Sequence, residues 1–262
     1  MLLCKHPLIS FAELRFSLPA AKDLWMACSA EQWRDAYVAK LRVYGGVPSI
    51  PNISDVLHRQ DAISELGDLV DQELCLAVHL YSFRSRISSY WEFLKLQPTG
   101  IAVADPLPTW LRLQHRDTYH HLSALTTLIA TTSSSPAPLR LASELTILTL
   151  HVSLDDLQSF SGKAGEAEAH KASDALNRHW ATTATARHAV FHAGQVLRLA
   201  RLFPAASLRD FSAVAVYYAS LTLWIYGLLR PEDAGGEGPL VCVDGEDSPA
   251  TRAFLEKGGF PP

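Results

Sequence analysis

The chain has 262 residues, of which 48% are hydrophobic and 19% are charged, and its net charge is −4. A chain of this length and apolar content can bury a sizeable core, which excludes a disordered tail. The balance of charge supplies no net positive field for phosphates, so the composition disfavours a nucleic-acid-binding protein.

The four cysteines lie far apart, at Cys4, Cys28, Cys75 and Cys242. None belongs to a Cys-x-x-Cys pair, which excludes zinc fingers, zinc ribbons and thioredoxin-type redox motifs. We interpret them as buried thiols in a reducing compartment, and the first residues lack the pattern of a secretory signal. The expected location is the nucleus or the cytoplasm.

The first half of the chain carries helix signals at three places. Ser29 followed by Gln32 is a capping-box pattern and predicts a helix over 30–41. After a Gly- and Pro-rich break, a short helix is expected over 53–59. Apolar residues at helical spacing then predict one proline-free helix over 63–96.

Four further elements are expected in the second half, with helices over 109–130, 139–160, 166–202 and 211–229, the last preceded by Ser207 as a cap. A strand-like tetrad follows at 240–243. We predict an all-α fold, a single helical domain over 1–262 built as an irregular bundle of about seven to nine helices. The internal loops are expected at 131–138 and 231–239.

The segment 211–229 is nineteen residues long and contains no charge, which is long enough to span a membrane. Its serine, threonine, glycine and tyrosines make it less apolar than a typical span. A core helix of a large helical domain produces the same pattern. We therefore expect one long buried apolar helix near the C-terminus, and a membrane-anchored protein is the second alternative.

A narrow polar strip is expected on the helix that contains His188, His192 and Gln195. Histidines four residues apart project from one side of a helix, as in two-histidine metal sites. Ala189 stands where a metalloprotease of the zincin type has its glutamate, so the catalytic base is missing. We expect these side chains to hydrogen-bond to neighbouring helices or loops, with no metal.

A basic stripe on the same helix is formed by Arg187, Arg198 and Arg201. Such a stripe can contact a phosphate or an acidic partner. The interpretation we favour is a solvated helix face whose arginines pair with local carboxylates.

Other combinations of polar residues do not complete a known catalytic pattern. Asp155 and Asp156 lack the further acidic residue that magnesium–diphosphate chemistry needs, and we expect them in an exposed turn. His115, His120 and His121 have no carboxylate or cysteine at ligand spacing, which favours a structural use. Hydrolase elbows and nucleotide-binding glycine motifs are missing from the sequence, so we expect no catalytic residue and no cofactor.

Several stretches together resemble the C-terminal regulatory domain of fungal-specific transcription factors, in the group whose full-length members carry paired C2H2 zinc fingers. The stretches are 24–25, 30–35, 47–49, 187–198, 208–211, 217–229, 240–246 and 251–254. They are spread over nearly the whole chain, and the most specific piece is the His-Ala-Gly-Gln-Val block at 192–196.

The resemblance implies a nuclear α-helical domain that lies behind a DNA-binding module. Such a domain regulates transcription by RNA polymerase II through contacts with the transcriptional machinery, co-regulator proteins or a small-molecule effector. This sequence contains no zinc finger, so DNA contact is expected only through a segment that it lacks. The first alternative is a small-ligand-binding protein or enzyme that uses the His188, His192 and Gln195 strip.

Within such a domain the tryptophans are expected to anchor helix contacts, at Trp25, Trp33, Trp91, Trp180 and Trp224. Gly194 is expected to let two helices approach closely. Replacement of this glycine by leucine is then expected to overpack the contact.

Overall fold

The structure is a computed structural model that describes residues 16–47, 49–56, 62–96, 108–132, 136–230, 241–246 and 248–256. These residues form twelve α-helices, nine of them with seven or more residues. They are α1 (Lys22–Trp25), α2 (Ala30–Tyr44), α3 (Ile53–Val56), α4 (Ala62–Glu65), α5 (Gln72–Lys95), α6 (Thr109–Thr131), α7 (Ala137–His151), α8 (Leu154–Phe160), α9 (Glu166–His179), α10 (Ala184–Ala200), α11 (Asp210–Leu229) and α12 (Pro249–Glu256). The predicted all-α class is confirmed.

The Ser29 cap predicted at the start of α2 is formed, and the reciprocal bond of Gln32 goes to the residue before the cap. The Ser29 hydroxyl accepts a hydrogen bond from the backbone N–H of Gln32, and the Gln32 side chain accepts one from the N–H of Cys28. The helix ends at Tyr44, and its C-cap is Gly45, whose φ of 69° is the left-handed conformation that a glycine adopts at low cost.

Three helices predicted as continuous are interrupted, so those predictions were wrong in their bounds. The region 63–96 contains α4, a 3-10 turn at Gly67–Leu69 and α5, because Asp71 is the N-cap of α5 and its side chain accepts a hydrogen bond from the N–H of Leu74. The region 139–160 is divided at Val152 and Ser153, and Ser153 caps α8. The region 166–202 is divided between α9 and α10, where Thr183 is the N-cap. In each case a side-chain cap ends an apolar pattern that would otherwise continue.

Several smaller expectations also need correction. Asp155 and Asp156 lie in the first turn of α8 and not in an exposed turn. Ser207 lies in a 3-10 turn, and the N-cap of α11 is Arg209. Residues 241–243 are irregular, and among the described residues no β-strand is formed, only isolated bridges such as Ser17 with Asn52.

The predicted loops fall partly outside the described residues. Of the loop at 131–138, Thr131 still belongs to α6 and α7 begins at Ala137, while residues 133–135 are outside the described ranges. The loop at 231–239 and residues 57–59 of the predicted short helix are likewise outside them.

The apolar core has two parts that meet at α7. One part lies between α5, α6 and one face of α7, which contributes Ala142, Ile147 and Leu150. The other part lies between the opposite face of α7 and α8, α9, α10 and α11, and it contains Leu141, Leu145 and Leu148. A helix that is apolar on both faces is buried on both faces, and α7 therefore separates the two parts.

The long apolar helix predicted near the C-terminus is α11, and its burial is confined to one face. The helix is long and apolar enough to cross a membrane, and 39% of its most apolar part is buried inside the protein. The buried face includes Ala215, Ala219 and Ile225, which pack in the second part of the core.

The tryptophans divide between core and surface. Trp180 is buried and Trp91 is half-buried, and both donate an indole hydrogen bond to a carbonyl of α7. Trp25, Trp33 and Trp224 are about half exposed, at 55%, 46% and 52%. The expectation that all of them are buried anchors of helix contacts is wrong for these three, although Trp224 contacts Phe160 of α8 with ring centroids 5.8 Å apart.

Cysteine burial also differs from the prediction. Cys75 is buried, and desolvation, with a smaller effect of Asp71, raises the pKa of its thiol to about 12. Cys28 and Cys242 are exposed, and Cys4 lies outside the described residues.

Candidate functional site

Five of the six residues singled out from the sequence lie on α10 and the sixth, Arg201, is its C-cap, but they do not form one site. The helix packs against α7 and α11, and α12 also contacts it. His188 and His192 face the α6 and α7 side, where their rings contact Tyr119 and His151. Gln195, Arg198 and Arg201 contact the stretch 241–246, which we call the C-terminal segment. The predicted polar strip is therefore split between two environments.

The histidine cluster consists of His115, His151, His188 and His192. The ring centroids of His151 and His188 are 5.0 Å apart with an interplanar angle of 19°, and those of His151 and His192 are 6.1 Å apart. His115 contacts His151 at 5.0 Å. The cluster thus gathers imidazoles from α6, α7 and α10 in one place.

Hydrogen bonds fix two of these rings. His192 Nδ1 lies 2.7 Å from Oε2 of Glu144 on α7, and both side chains are largely buried. His188 Nδ1 lies 3.2 Å from the Tyr119 hydroxyl on α6. The prediction that the polar strip hydrogen-bonds to neighbouring elements is confirmed for His188 and His192.

Other nitrogen atoms of the cluster have no partner among the described residues. Both ring nitrogens of His151, and Nε2 of His115 and His192, are buried without a hydrogen bond. His151 is 3% exposed and His192 is 5% exposed. Buried polar groups normally have a partner, so this cluster is unusual for a structural core.

The cluster favours neutral imidazoles. Burial lowers the pKa of His151 well below its usual value, with further lowering by His115, His192 and His188. Burial likewise lowers the pKa of His188 to about 4, with smaller contributions from His192, Arg187 and His115. The pKa of His115 is also lowered by burial. At neutral pH these three rings carry a free lone pair instead of a second proton.

The C-terminal segment lies directly on α10. The Gln195 side-chain amide donates to the carbonyls of Val243 and Gly245 at 2.8 Å and 3.0 Å. Gly194 faces the same backbone, and a Cβ there would lie 2.5 Å from the carbonyl carbon of Val243. The close approach expected at Gly194 is present, but its partner is an irregular segment and not a second helix.

The arginines have separate roles, and the predicted solvated stripe is correct for two of them. Arg201 pairs with Asp244 at 2.5 Å, and Arg198 lies 3.8 Å from Glu246. Both carboxylates belong to the C-terminal segment. Arg187 is 7% exposed, and its Nε has no partner among the residues described. It therefore does not belong to the solvated face.

His151, Glu144 and Tyr119 were not predicted as members of the site, and His115 was predicted to lie with His120 and His121. His120 is exposed and His121 bonds within its own helix, while His115 joins the cluster. Only the pair His188 and His192 had a local signal, since the other members come from distant parts of the chain.

Apart from the buried histidine cluster, a row of exposed residues lies on α11. We call it the α11 stripe, and its members are Ala213, Tyr217, Ser220, Trp224 and Leu228. Tyr217, Trp224 and Leu228 are 50%, 52% and 57% exposed. Spacings of three and four residues place these side chains on one side of the helix. The stripe is apolar and aromatic and carries no charge.

A cleft of about 360 Å³ lies away from both features, between α1, α2 and the start of α5. Its lysines are paired, with Lys40 3.0 Å from Asp23 and Lys22 3.2 Å from Glu73. None of the six predicted site residues lines it.

Comparison with known proteins finds no match for this chain among protein families, curated proteins or solved structures.

Proposed function

We propose that this protein is a non-catalytic helical module that regulates transcription in the nucleus by binding other proteins. The observation that carries the proposal is the α11 stripe, because it exposes three large apolar side chains, those of Tyr217, Trp224 and Leu228, on one side of a helix beside a well-packed core. Contiguous exposed apolar surface marks interaction sites in folded proteins. The resemblance to fungal regulatory domains, which includes 217–229, is the reason for naming transcription.

The partner that this surface suits is an amphipathic helix of another protein. Tyr217, Ser220, Trp224 and Leu228 follow spacings of three, four and four residues, the pattern that a helix presents to a second helix. Tyrosine and tryptophan supply rigid, amphipathic contact area and are enriched at binding hot spots. Because the α11 stripe carries no charge, we expect the face of the partner helix that contacts it to be apolar.

A membrane is a less suitable occupant of the stripe. To span a bilayer, α11 would have to expose Ala215, Ala219 and Ile225 to lipid, and these residues are buried against neighbouring helices. It would also have to withdraw Tyr218, whose hydroxyl accepts a hydrogen bond from Gln158.

A reporter assay tests the proposal with the whole chain. The chain is fused to an unrelated DNA-binding domain, and transcription from a promoter with the matching site is measured. The expected result is a change in transcription relative to the DNA-binding domain alone. The double variant Tyr217→Gln with Trp224→Gln is expected to abolish this change, and Trp25→Gln, an exposed tryptophan on α1, is expected to preserve it.

Each other result counts against part of the proposal. An unchanged reporter with the wild-type fusion contradicts the transcriptional role. A double variant that keeps the effect, at equal protein level, contradicts the α11 stripe as the contact surface. Self-association in solution that the double variant abolishes would replace the partner helix by a second copy. Co-flotation with phosphatidylcholine–phosphatidylserine vesicles would replace it by a membrane.

A further inference from the structure

Three side chains of the histidine cluster can each direct a nitrogen atom to one point. His151 ends α7, and His188 and His192 lie one turn apart on α10. One ring nitrogen from each of them lies within 4.8 Å of the other two. We propose that His151, His188 and His192 bind a divalent transition-metal ion, with Zn²⁺ as the reference ion, and this proposal is independent of the transcriptional one.

The donor set suits this class of ion. Neutral imidazole is a common ligand for Zn²⁺, Cu²⁺, Ni²⁺ and Co²⁺. A three-histidine set with an open fourth position is a known arrangement for zinc, and water can fill that position. Ca²⁺ and Mg²⁺ prefer oxygen ligands, so the cluster selects against them.

Binding would use atoms that the protein leaves without a partner. Both nitrogens of His151 and Nε2 of His192 are buried and unsatisfied among the described residues. A metal ion would satisfy one nitrogen of His151 and Nε2 of His192 without breaking a hydrogen bond, and His188 would keep its contact with the Tyr119 hydroxyl if it bound through Nε2. Bonds of 2.0–2.1 Å would bring the ligand nitrogens to about 3.4 Å from one another in a tetrahedral site. The rings must therefore turn slightly inward, and His188, which is only partly buried, has the most freedom to do so.

The surroundings of the rings resemble the support that metal ligands receive elsewhere. Glu144 accepts a hydrogen bond from His192 Nδ1, which leaves Nε2 as the ligand atom. Trp180 donates to the backbone carbonyl of His151 and fixes the end of α7. A carboxylate behind a histidine orients the ring and raises its basicity.

Charge near the cluster is balanced. Glu144 contributes a negative charge behind His192, and Arg187 contributes a positive charge near His188. Tyr119, beside His151, and Tyr90, beside His115, are the other titratable rings in contact with the cluster.

The experiment is a zinc titration of tag-free protein that has been stripped with EDTA, with a coloured chelator as competitor. The expected result is one Zn²⁺ per chain. His188→Gln is expected to weaken binding by roughly a hundredfold or more, and Glu144→Gln by about 10–100-fold, as for other residues that support a ligand. His170→Gln, an exposed histidine on α9, is the matched control and is expected to leave affinity unchanged.

Binding of Co²⁺ provides a second measurement, because the visible absorption spectrum of Co²⁺ changes when nitrogen ligands bind it in a site of low symmetry. The spectrum is expected with wild-type and His170→Gln protein and to disappear with His188→Gln. Circular dichroism checks that each variant is folded, and the partly exposed His188 ensures that at least one ligand variant is informative. Absence of a bound ion in the wild type, equal affinity in His188→Gln, or loss of binding in His170→Gln would each overturn the proposal.

Discussion

α10 and α11 lie against each other in the same half of the core, yet they distribute polar and apolar side chains in opposite ways. α10 buries polar groups, including Arg187, His192 and Gln195. α11 is the more apolar helix, and it exposes Tyr217 and Trp224 to solvent. Buried polar residues and exposed apolar patches are the observations that packing alone does not explain. The difference indicates that the polar residues of α10 make contacts inside the protein, whereas the exposed apolar residues of α11 are available for contacts with other molecules.

The largest effect on the free energy of unfolding is expected at Gly194 of α10, which lies against the backbone of the C-terminal segment. We expect Gly194→Leu to lower the free energy of unfolding by about 1–3 kcal/mol, because the new side chain would collide with the backbone of Val243 and Asp244. Urea denaturation measures the effect. Gly227→Leu on α11 is the control, since no atom lies within 4 Å there, and it is expected to be neutral or stabilising by up to about 1 kcal/mol. Equal changes in the free energy of unfolding for Gly194→Leu and Gly227→Leu would contradict the tight contact at Gly194.

Acid is expected to destabilise the protein through the histidine cluster, to which α10 contributes two rings and α11 none. The pKa of His188 is about 4 in the folded chain, below the ordinary value of 6.5, so the unfolded chain binds more protons between these values. Stability is therefore fully present above about pH 6.5 and is lost as the pH falls toward about 4. Urea midpoints of EDTA-treated protein over this range measure the slope. His188→Gln should give a shallower slope than His170→Gln, and parallel curves for the two variants would contradict the assignment.

A smaller effect is expected where α10 meets the C-terminal segment by charge. Arg201 and Asp244 form an ion pair with side chains 66% and 30% exposed. A double-mutant cycle with Arg201→Ala and Asp244→Ala is expected to give a coupling of about 0.2–1 kcal/mol that weakens with added salt. A salt-independent coupling would show that the contact is not electrostatic.

The smallest stability effect is expected on the α11 stripe. Trp224→Gln should change the free energy of unfolding by less than about 0.5 kcal/mol, because half of the side chain is already in water and its contact with Phe160 is at 5.8 Å. Thermal unfolding measures it. A large loss would mean that Trp224 belongs to the core, and the loss of reporter activity in the stripe variant would then have a structural cause.

The sequence predicts the helices better than it predicts their ends or their neighbours. The apolar periodicity of α6 and α11 is local, and these helices appear where it places them. The breaks before α5, α8 and α10 depend on single caps such as Ser153, which compete with a pattern that continues on both sides. Local pattern favours the longer helix, so these caps were missed.

The candidate site is predictable only in part for the same reason. The spacing of His188 and His192 is a property of one helix. His151 and Glu144 join them because α7 packs against α10. The local sequence of neither helix predicts how the two helices pack against each other. The surface position of Trp224 was missed as well, since an aromatic residue on an apolar helix ordinarily indicates burial.

The position of α7 between the two parts of the core bears on how the chain can be divided. The Ser-, Thr- and Pro-rich stretch before α7 has the composition of a linker between domains. A fragment that ended there would leave the apolar sides of α5 and α6 without the face of α7 that covers them, and a fragment that began there would expose that face to water. Two such fragments would be poorly soluble apart and would be expected to recover the fold when expressed together.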